Sequence, residues 1–114
     1  MINIYGEDRF YISDNESLII VYNEKNNIFW NETYFECNGE RIFIGSYFKG
    51  KELVDWNKFY IAIFTRKKED DGSYTPIFKK IFDIRNRVLI HGSSEELLDY
   101  YNNVITVPSD ERKI

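Results

Sequence analysis

The dipeptide Asn38-Gly39 constrains the fold of this chain more than any other feature of its sequence. Asparagine and glycine both tolerate positive φ, so the pair favours a two-residue type I′ turn, and runs typical of strands flank it on both sides. The sequence therefore predicts a β-hairpin of residues 28–37 with residues 40–48. In a hairpin with this loop, the numbers of paired residues sum to 77. The predicted pairs are Glu36 with Arg41, Tyr34 with Phe43, Glu32 with Gly45, and Trp30 with Tyr47.

The two faces of this hairpin differ in chemistry. The more apolar face is predicted to belong to the core and carries Phe29, Thr33, Phe35, Ile42, Ile44 and Phe48. The opposite face, here called the charged aromatic face, is predicted to bind a partner and consists of Trp30, Glu32, Tyr34, Glu36, Arg41, Phe43 and Tyr47. Aromatic side chains among charges are enriched at protein interfaces, because they bring a large contact area at low entropic cost. The alternative is that the terminal helix or a neighbouring strand covers this face.

A second turn, Asp71-Gly72, predicts another hairpin, in which paired numbers sum to 143. The predicted pairs are Ile61 with Phe82, Phe59 with Ile84, and Thr65 with Phe78. Further strands are predicted upstream at 10–13 and 17–22, joined through Asp14-Asn15, and the chain turns at Asn26-Asn27 into the first hairpin. Downstream we expect a short strand at 86–91 and a last edge strand at 104–107.

One helix is predicted near the C-terminus. Ser93 and Glu96 have the spacing of a capping box, which indicates a helix over about 94–103. Composition favours strands elsewhere: 18% of the 114 residues are aromatic, and there are sixteen Ile but one Ala. We therefore expect a single domain, 1–114, that is mainly β, with α+β as the alternative class. Its predicted architecture is an antiparallel meander of about 6–8 strands, forming a sandwich or a half-open barrel.

The net charge of −4 is unevenly distributed along the chain. Residues 1–48 carry three basic and eight acidic side chains, residues 49–87 carry ten and six, and residues 88–114 carry two and five. An acidic protein lacks the dominant basic field that nucleic-acid binding needs, so we do not expect a nucleic-acid partner. The longest apolar run, 18–22, is too short to span a bilayer, and the first residues lack the features of a secretory signal. We expect a cytoplasmic protein with no membrane partner.

The residues that could carry chemistry are few. His91 is the single histidine and Cys37 the single cysteine, and no spacing relates them, so we expect neither a catalytic residue nor a metal site. Gly92-Ser93-Ser94 precedes the predicted helix, but Glu95 and Glu96 would repel a phosphate there. The pairs Lys67-Lys68 and Lys79-Lys80 are interpreted as a solvated surface. We expect no cofactor and no enzymatic activity.

These observations favour a small non-catalytic binding protein that inhibits or neutralises a protein partner with a basic surface through the charged aromatic face. Immunity proteins and phage-encoded anti-defence inhibitors share this size, acidity and lack of motifs, which is an analogy of composition. The alternative is a β domain that binds a small ligand or nucleotide, with Lys79 or Arg66 at the phosphate. A hydrolase built around His91 is the third hypothesis. Exposed edge strands would also allow a homodimer.

Overall fold

The computed structural model describes residues 1–48 and 51–106. Over these residues the chain forms two antiparallel four-stranded sheets and one short C-terminal helix, which confirms the prediction of a mainly β fold. The chain consists of two compact units, Met1–Leu53 and Val54–Ile114, here called unit 1 and unit 2. The single domain and the sandwich or half-open barrel stay predictions, since they concern the arrangement of the two units.

The sheet of unit 1 is a meander in which each strand pairs with the next along the chain. Its strands are β1 (Asn3–Ser13), β2 (Glu16–Lys25), β3 (Ile28–Cys37) and β4 (Glu40–Tyr47). Asn26 and Asn27 both have positive φ, as do Asn38 and Gly39. Both two-residue turns therefore form as the sequence predicts. β1 is longer than expected, because it begins at Asn3 rather than at Phe10.

A β-bulge in β4 changes the predicted register of the first hairpin. Glu36 pairs with Arg41 and Tyr34 with Phe43, as predicted, but the next pair joins Thr33 to Gly45 and leaves Ile44 as an extra residue. Beyond the bulge, Glu32 pairs with Ser46, and Tyr47 pairs with Asn31. The predicted pairs Glu32–Gly45 and Trp30–Tyr47 are therefore wrong. A shift of one residue moves a side chain to the other side of a sheet, so Tyr47 lies on the side of Asn31 and not of Trp30.

The core of unit 1 is built around β2. Four consecutive residues of this strand, Leu18 to Val21, are buried, so both of its faces are covered. Phe35 and Ile44 are fully buried, as predicted. The prediction of core positions is wrong for Ile42, Phe29 and Phe48, which are exposed. Ile42 is on the edge strand β4, Phe29 lies near the start of β3, and Phe48 directly follows β4.

The second sheet is also a meander, with strands β5 (Leu53–Trp56), β6 (Tyr60–Lys68), β7 (Tyr74–Asp83) and β8 (Val88–Ile90). The Asp71-Gly72 turn has a three-residue loop, because the Glu69 amide donates to the Ser73 carbonyl (2.8 Å) and Gly72 has positive φ. Phe78 therefore pairs with Phe64, and the predicted Thr65–Phe78 pair is wrong.

A bulge in β7 compensates for the longer loop. Phe64 pairs with Phe78 and Ile63 pairs with Lys80, which leaves Lys79 as an extra residue. Beyond this point the predicted register is correct. Ile61 pairs with Phe82, and the Ile84 amide donates to the Phe59 carbonyl (3.0 Å). The apolar part of this hairpin was therefore predicted correctly although its loop was not.

The helix α1 (Ser94–Tyr100) begins at the predicted capping box. The Glu96 amide donates to Ser93 Oγ (3.2 Å), and the Ser93 amide donates to Glu96 Oε1 (3.0 Å). A π-helical segment, Tyr101–Thr106, continues from α1. The predicted edge strand at 104–107 is wrong, because 104–106 belong to this segment, and Val107 lies outside the described residues. Leu97 is fully buried and packs with Tyr60, Ala62, Phe78 and Ile81.

A buried carboxylate links α1 to β7. The Asp83 side chain has no exposed surface, and its Oδ2 accepts hydrogen bonds from the Tyr100 hydroxyl and from Asn86 Nδ2. Burial alone would raise the pKa of Asp83, but these donors hold it below its ordinary value. Hydrogen bonds from Tyr100 and Asn86 therefore stabilise the buried charge of Asp83.

We predict that Tyr100→Phe lowers the free energy of unfolding by about 2 kcal/mol, because it removes a hydrogen bond to a charged, buried acceptor. Urea unfolding followed by far-UV circular dichroism measures the change. The control is Tyr74→Phe, at an exposed position on β7, which we expect to leave the midpoint unchanged. Equal stability of the Tyr100→Phe and Tyr74→Phe variants would contradict this role of the hydroxyl.

Candidate functional site

The structure places most of the charged aromatic face as predicted. Trp30, Glu32, Tyr34 and Glu36 alternate along β3, which puts them on one side of the sheet, and all four are half-buried. Arg41 and Phe43 lie across from Glu36 and Tyr34 on β4. Tyr47 is the exception, because the bulge turns it to the opposite side. The face is thus neither fully open nor fully covered.

An aromatic pair forms the centre of this face. The rings of Tyr34 and Phe43 are 5.6 Å apart and meet edge to face at 66°. The Tyr34 hydroxyl donates to Glu32 Oε1 (3.1 Å), and the Arg41 guanidinium lies 6.0 Å from the centre of the Tyr34 ring. Burial and the bond to Glu32 raise the pKa of Tyr34. The pair is therefore held in position, while Phe43 keeps 45% of its surface exposed.

Ion pairs occupy the end of the face near the Asn38-Gly39 turn. Glu36 accepts hydrogen bonds from Arg9 Nη1 (2.6 Å) and Arg41 Nε (2.9 Å). Glu7 is paired with the same two arginines, 3.4 Å from Arg41 Nη2 and 3.9 Å from Arg9 Nη2. Two arginines and two glutamates compensate each other, so the Glu36 carboxylate has little uncompensated charge to offer a basic partner.

This network extends across the whole sheet. Arg41 is on β4 and Glu7 on β1, and three inter-strand spacings separate these edge strands, about 14 Å in a flat sheet. The long side chains must therefore lie along the sheet and cross over β2 and β3. Ser17 and Ile19 face the same side of β2 and are buried. The network is thus part of what covers β2.

The opposite side of the unit 1 sheet contains a cavity of about 590 Å³. Four of its lining residues form one cross-strand row, in which Gly6, Tyr22, Asn31 and Tyr47 are paired in sequence from β1 to β4. Gly6 contributes no side chain to this row, which leaves space beside the Tyr22 ring. The bulge at Ile44 brings Tyr47 into the row, so the cavity depends on the feature that the predicted register lacked.

Most of the residues that build the cavity were not predicted. The additional lining residues include Tyr5, Glu7, Asp8, Phe29, Trp30 and Glu52. Of the cavity's lining, only Trp30 and Tyr47 were among the predicted site residues. Tyr5, Gly6, Glu7 and Asp8 belong to the part of β1 that precedes Phe10. Residues 5–9 show no alternation of apolar and polar side chains and include Gly6, so no local signal in the sequence indicates a strand there.

The Tyr22 hydroxyl donates a hydrogen bond to Asp8 Oδ2 within the cavity lining. This bond is the main reason why the pKa of Tyr22 is raised to about 12. Burial raises the pKa of Tyr47 as well. Both tyrosines therefore remain neutral at physiological pH, and Asp8 has one carboxylate oxygen outside this bond.

The other predicted candidates are not among the described lining residues of this cavity. His91 is exposed after β8, and Cys37 is half-buried at the end of β3. Within residues 1–48 and 51–106, no group of three or more His, Cys, Asp or Glu side chains could hold a metal ion. In the same part of the chain, no helix has the length and apolar character needed to cross a membrane. Arg66 packs over the Tyr74 ring (5.1 Å), and Lys79 is the exposed bulge residue.

Comparisons with known proteins do not assign a family. No protein-family model matches the chain, and neither a curated protein nor a solved structure matches it significantly. Any function must therefore be argued from the residues of the two surfaces described above.

We predict that the ion-pair network makes stability depend on pH through Glu36. The two arginines hold the pKa of Glu36 below its ordinary value of 4.5. A carboxylate whose pKa is lowered by folding stabilises the fold at pH values above its ordinary pKa. This contribution is lost as the pH falls through the folded-state pKa. Glu36→Gln should therefore unfold at lower urea concentration than the wild type at pH 7, and the difference should narrow at about pH 3.

The matched control is Glu40→Gln, an exposed carboxylate in the same hairpin but outside the network. Its urea midpoint should stay close to that of the wild type at both pH values. If Glu36→Gln and Glu40→Gln behaved alike, the network would not contribute to stability.

Proposed function

We propose that the protein is a small non-catalytic, cytoplasmic binding protein that inhibits or neutralises a protein partner through the charged aromatic face. The observation that carries this proposal is the fixed Tyr34–Phe43 pair, which is half-exposed and surrounded by charge. Binding energy at interfaces is concentrated in a few aromatic and arginine side chains whose surroundings exclude water. A ring that is already held in place also loses little conformational entropy when a partner covers it.

Charge supports a partner with a basic surface. Residues 1–48 have five more acidic than basic side chains, and the ion-pair network already engages two of the three basic ones, Arg9 and Arg41. The remaining acidic excess gives this part of the chain a negative field, which would speed association with a basic protein and orient it. Glu32 is the acidic residue closest to the aromatic pair, since it accepts the Tyr34 hydroxyl bond. Inhibition would follow from steric cover of the partner's basic site.

A second candidate function is the binding of a small ligand by unit 1, and the cavity on the other side of the sheet favours it. A nucleotide is a poor match, because the described lining includes three acidic residues and no basic one. Phosphate groups bind where positive charge or free amide groups are available.

We predict that the partner's affinity depends on the aromatic pair. The full chain, carrying an affinity tag, would be used to capture partners from cytosol, and each captured protein would be purified and titrated by calorimetry. Phe43→Ala should weaken the complex by about tenfold or more, as expected for a central aromatic anchor. The double variant Glu32→Lys with Tyr34→Ala should abolish it.

The control is Tyr74→Ala, an exposed aromatic of the second sheet, which should leave the affinity unchanged. The partner's binding surface should be basic, so binding should weaken as salt is raised. A complex that survived both Phe43→Ala and the double variant would show that the charged aromatic face is not the binding surface.

A further inference from the structure

The proposed protein-binding function does not use the cavity of unit 1. Its volume of about 590 Å³ is within the range of pockets that hold small molecules. Four of its lining residues form the cross-strand row of Gly6, Tyr22, Asn31 and Tyr47, so the pairing of four strands fixes much of its shape. A site on paired strands is preorganised, which favours ligand binding.

The charge of the cavity lining is negative. Asp8 and Glu52 are acidic lining residues, and none of the described lining residues is lysine or arginine. The Glu7 side chain lies on the other side of the sheet, in the ion-pair network, whereas Asp8 lies on the side of Tyr22 and is bonded to its neutral hydroxyl. The lining therefore contains at least one carboxylate that no arginine compensates among the described contacts. Such a lining attracts cations and repels phosphates.

Aromatic rings form the walls of the same cavity. The Tyr5 ring is 5.9 Å from the Tyr22 ring, at 40° to it, and 6.0 Å from the Phe29 ring, at 81° to it. The Phe29 ring thus lies nearly perpendicular to the Tyr5 ring, and Tyr47 adds a further aromatic side chain to the lining. Rings that surround a site with their electron-rich faces bind cations, and alkylated ammonium groups above all.

We propose that this cavity binds an organic cation that carries an alkylated ammonium group. The aromatic side chains would contact the alkyl groups around the nitrogen, and the Asp8 carboxylate would compensate its charge. A small hydrated metal ion would leave most of this volume and the aromatic walls unused. The same ammonium chemistry occurs in free choline-like molecules and in methylated lysine side chains. The cavity row and the charged aromatic face lie on opposite sides of the sheet, so the cavity ligand does not depend on the proposed protein partner.

Trp30 lines the cavity and provides a fluorescence signal. In the full chain carrying Trp56→Phe, Trp30 is the only tryptophan, and its emission would be followed during titrations at constant ionic strength. The probes are choline chloride, a peptide with one trimethyllysine, and the uncharged analogue 3,3-dimethyl-1-butanol. We expect saturable binding of choline or of the peptide. The affinity for the uncharged analogue should be lower by about tenfold or more. The cation with the higher affinity identifies the source, either a free molecule or a modified side chain.

Matched variants locate the binding to the cavity. Tyr5 and Tyr11 are exposed tyrosines of the same strand, at 60% and 72%, but only Tyr5 lines the cavity. Tyr5→Ala should weaken cation binding by about tenfold, and Tyr11→Ala should not. Asp8→Asn should weaken the binding of the cations and leave the binding of the uncharged analogue unchanged. The control for this variant is Asp14→Asn.

A steric variant gives an independent test. A Cβ added at Gly6 would meet only Tyr22 Cδ2, at an ordinary contact distance of 3.8 Å, so Gly6→Leu should fold and reduce the space in the row. Loss of binding in Gly6→Leu, with an unchanged circular dichroism spectrum, would support the site. The proposal would be overturned by absence of saturable binding for both cations, by equal affinity for the uncharged analogue, or by binding that Tyr5→Ala and Asp8→Asn leave intact.

Discussion

The ion pairs of Arg9 and Arg41 with Glu36 and Glu7 are the interaction on which the sheet of unit 1 depends. They connect the two edge strands across β2 and β3, and they lie over buried residues of β2 that would otherwise face water. Because the charges compensate each other, this part of the surface is neutral, and the Phe43 ring stands beside it as the accessible apolar group. In this arrangement some charged side chains hold the sheet together, and others are available to a partner. The sequence pattern alone does not distinguish these two roles.

Local signals in the sequence were sufficient for the turns of the first sheet and for the start of the helix. Asn26-Asn27 and Asn38-Gly39 each predict a two-residue turn, and Ser93 with Glu96 predicts the helix start, because these short patterns act through backbone conformation and neighbouring hydrogen bonds. The bulges at Ile44 and Lys79 were not predictable, since an extra residue is accommodated by packing across strands and leaves no local pattern. Asp71-Gly72 shows that a dipeptide does not always determine the length of a turn, because the same dipeptide is compatible with loops of two and three residues.

The candidate site could be predicted only where it lies within one hairpin. Glu32, Tyr34, Glu36, Arg41 and Phe43 are brought together by the turn between β3 and β4, and their placement on one face follows from alternation. The cavity instead joins Tyr5 and Asp8 of β1 to Tyr47 of β4, residues separated by most of the length of unit 1. No periodicity within a short window indicates such a combination, which depends on the pairing of all four strands and on the position of one bulge.

The meander connectivity has a consequence for how the chain reaches this structure. Every strand of both sheets pairs with its neighbour in sequence, and each hairpin of unit 1 closes a loop of two residues. The entropic cost of bringing paired strands together is therefore small at each step, which favours fast folding for a β protein. On a ribosome, all strands of the first sheet would be available before β6 is synthesised. The contact between Glu7 and Arg41 spans the greatest sequence distance in that network, so it requires both edge strands of the sheet to be in place.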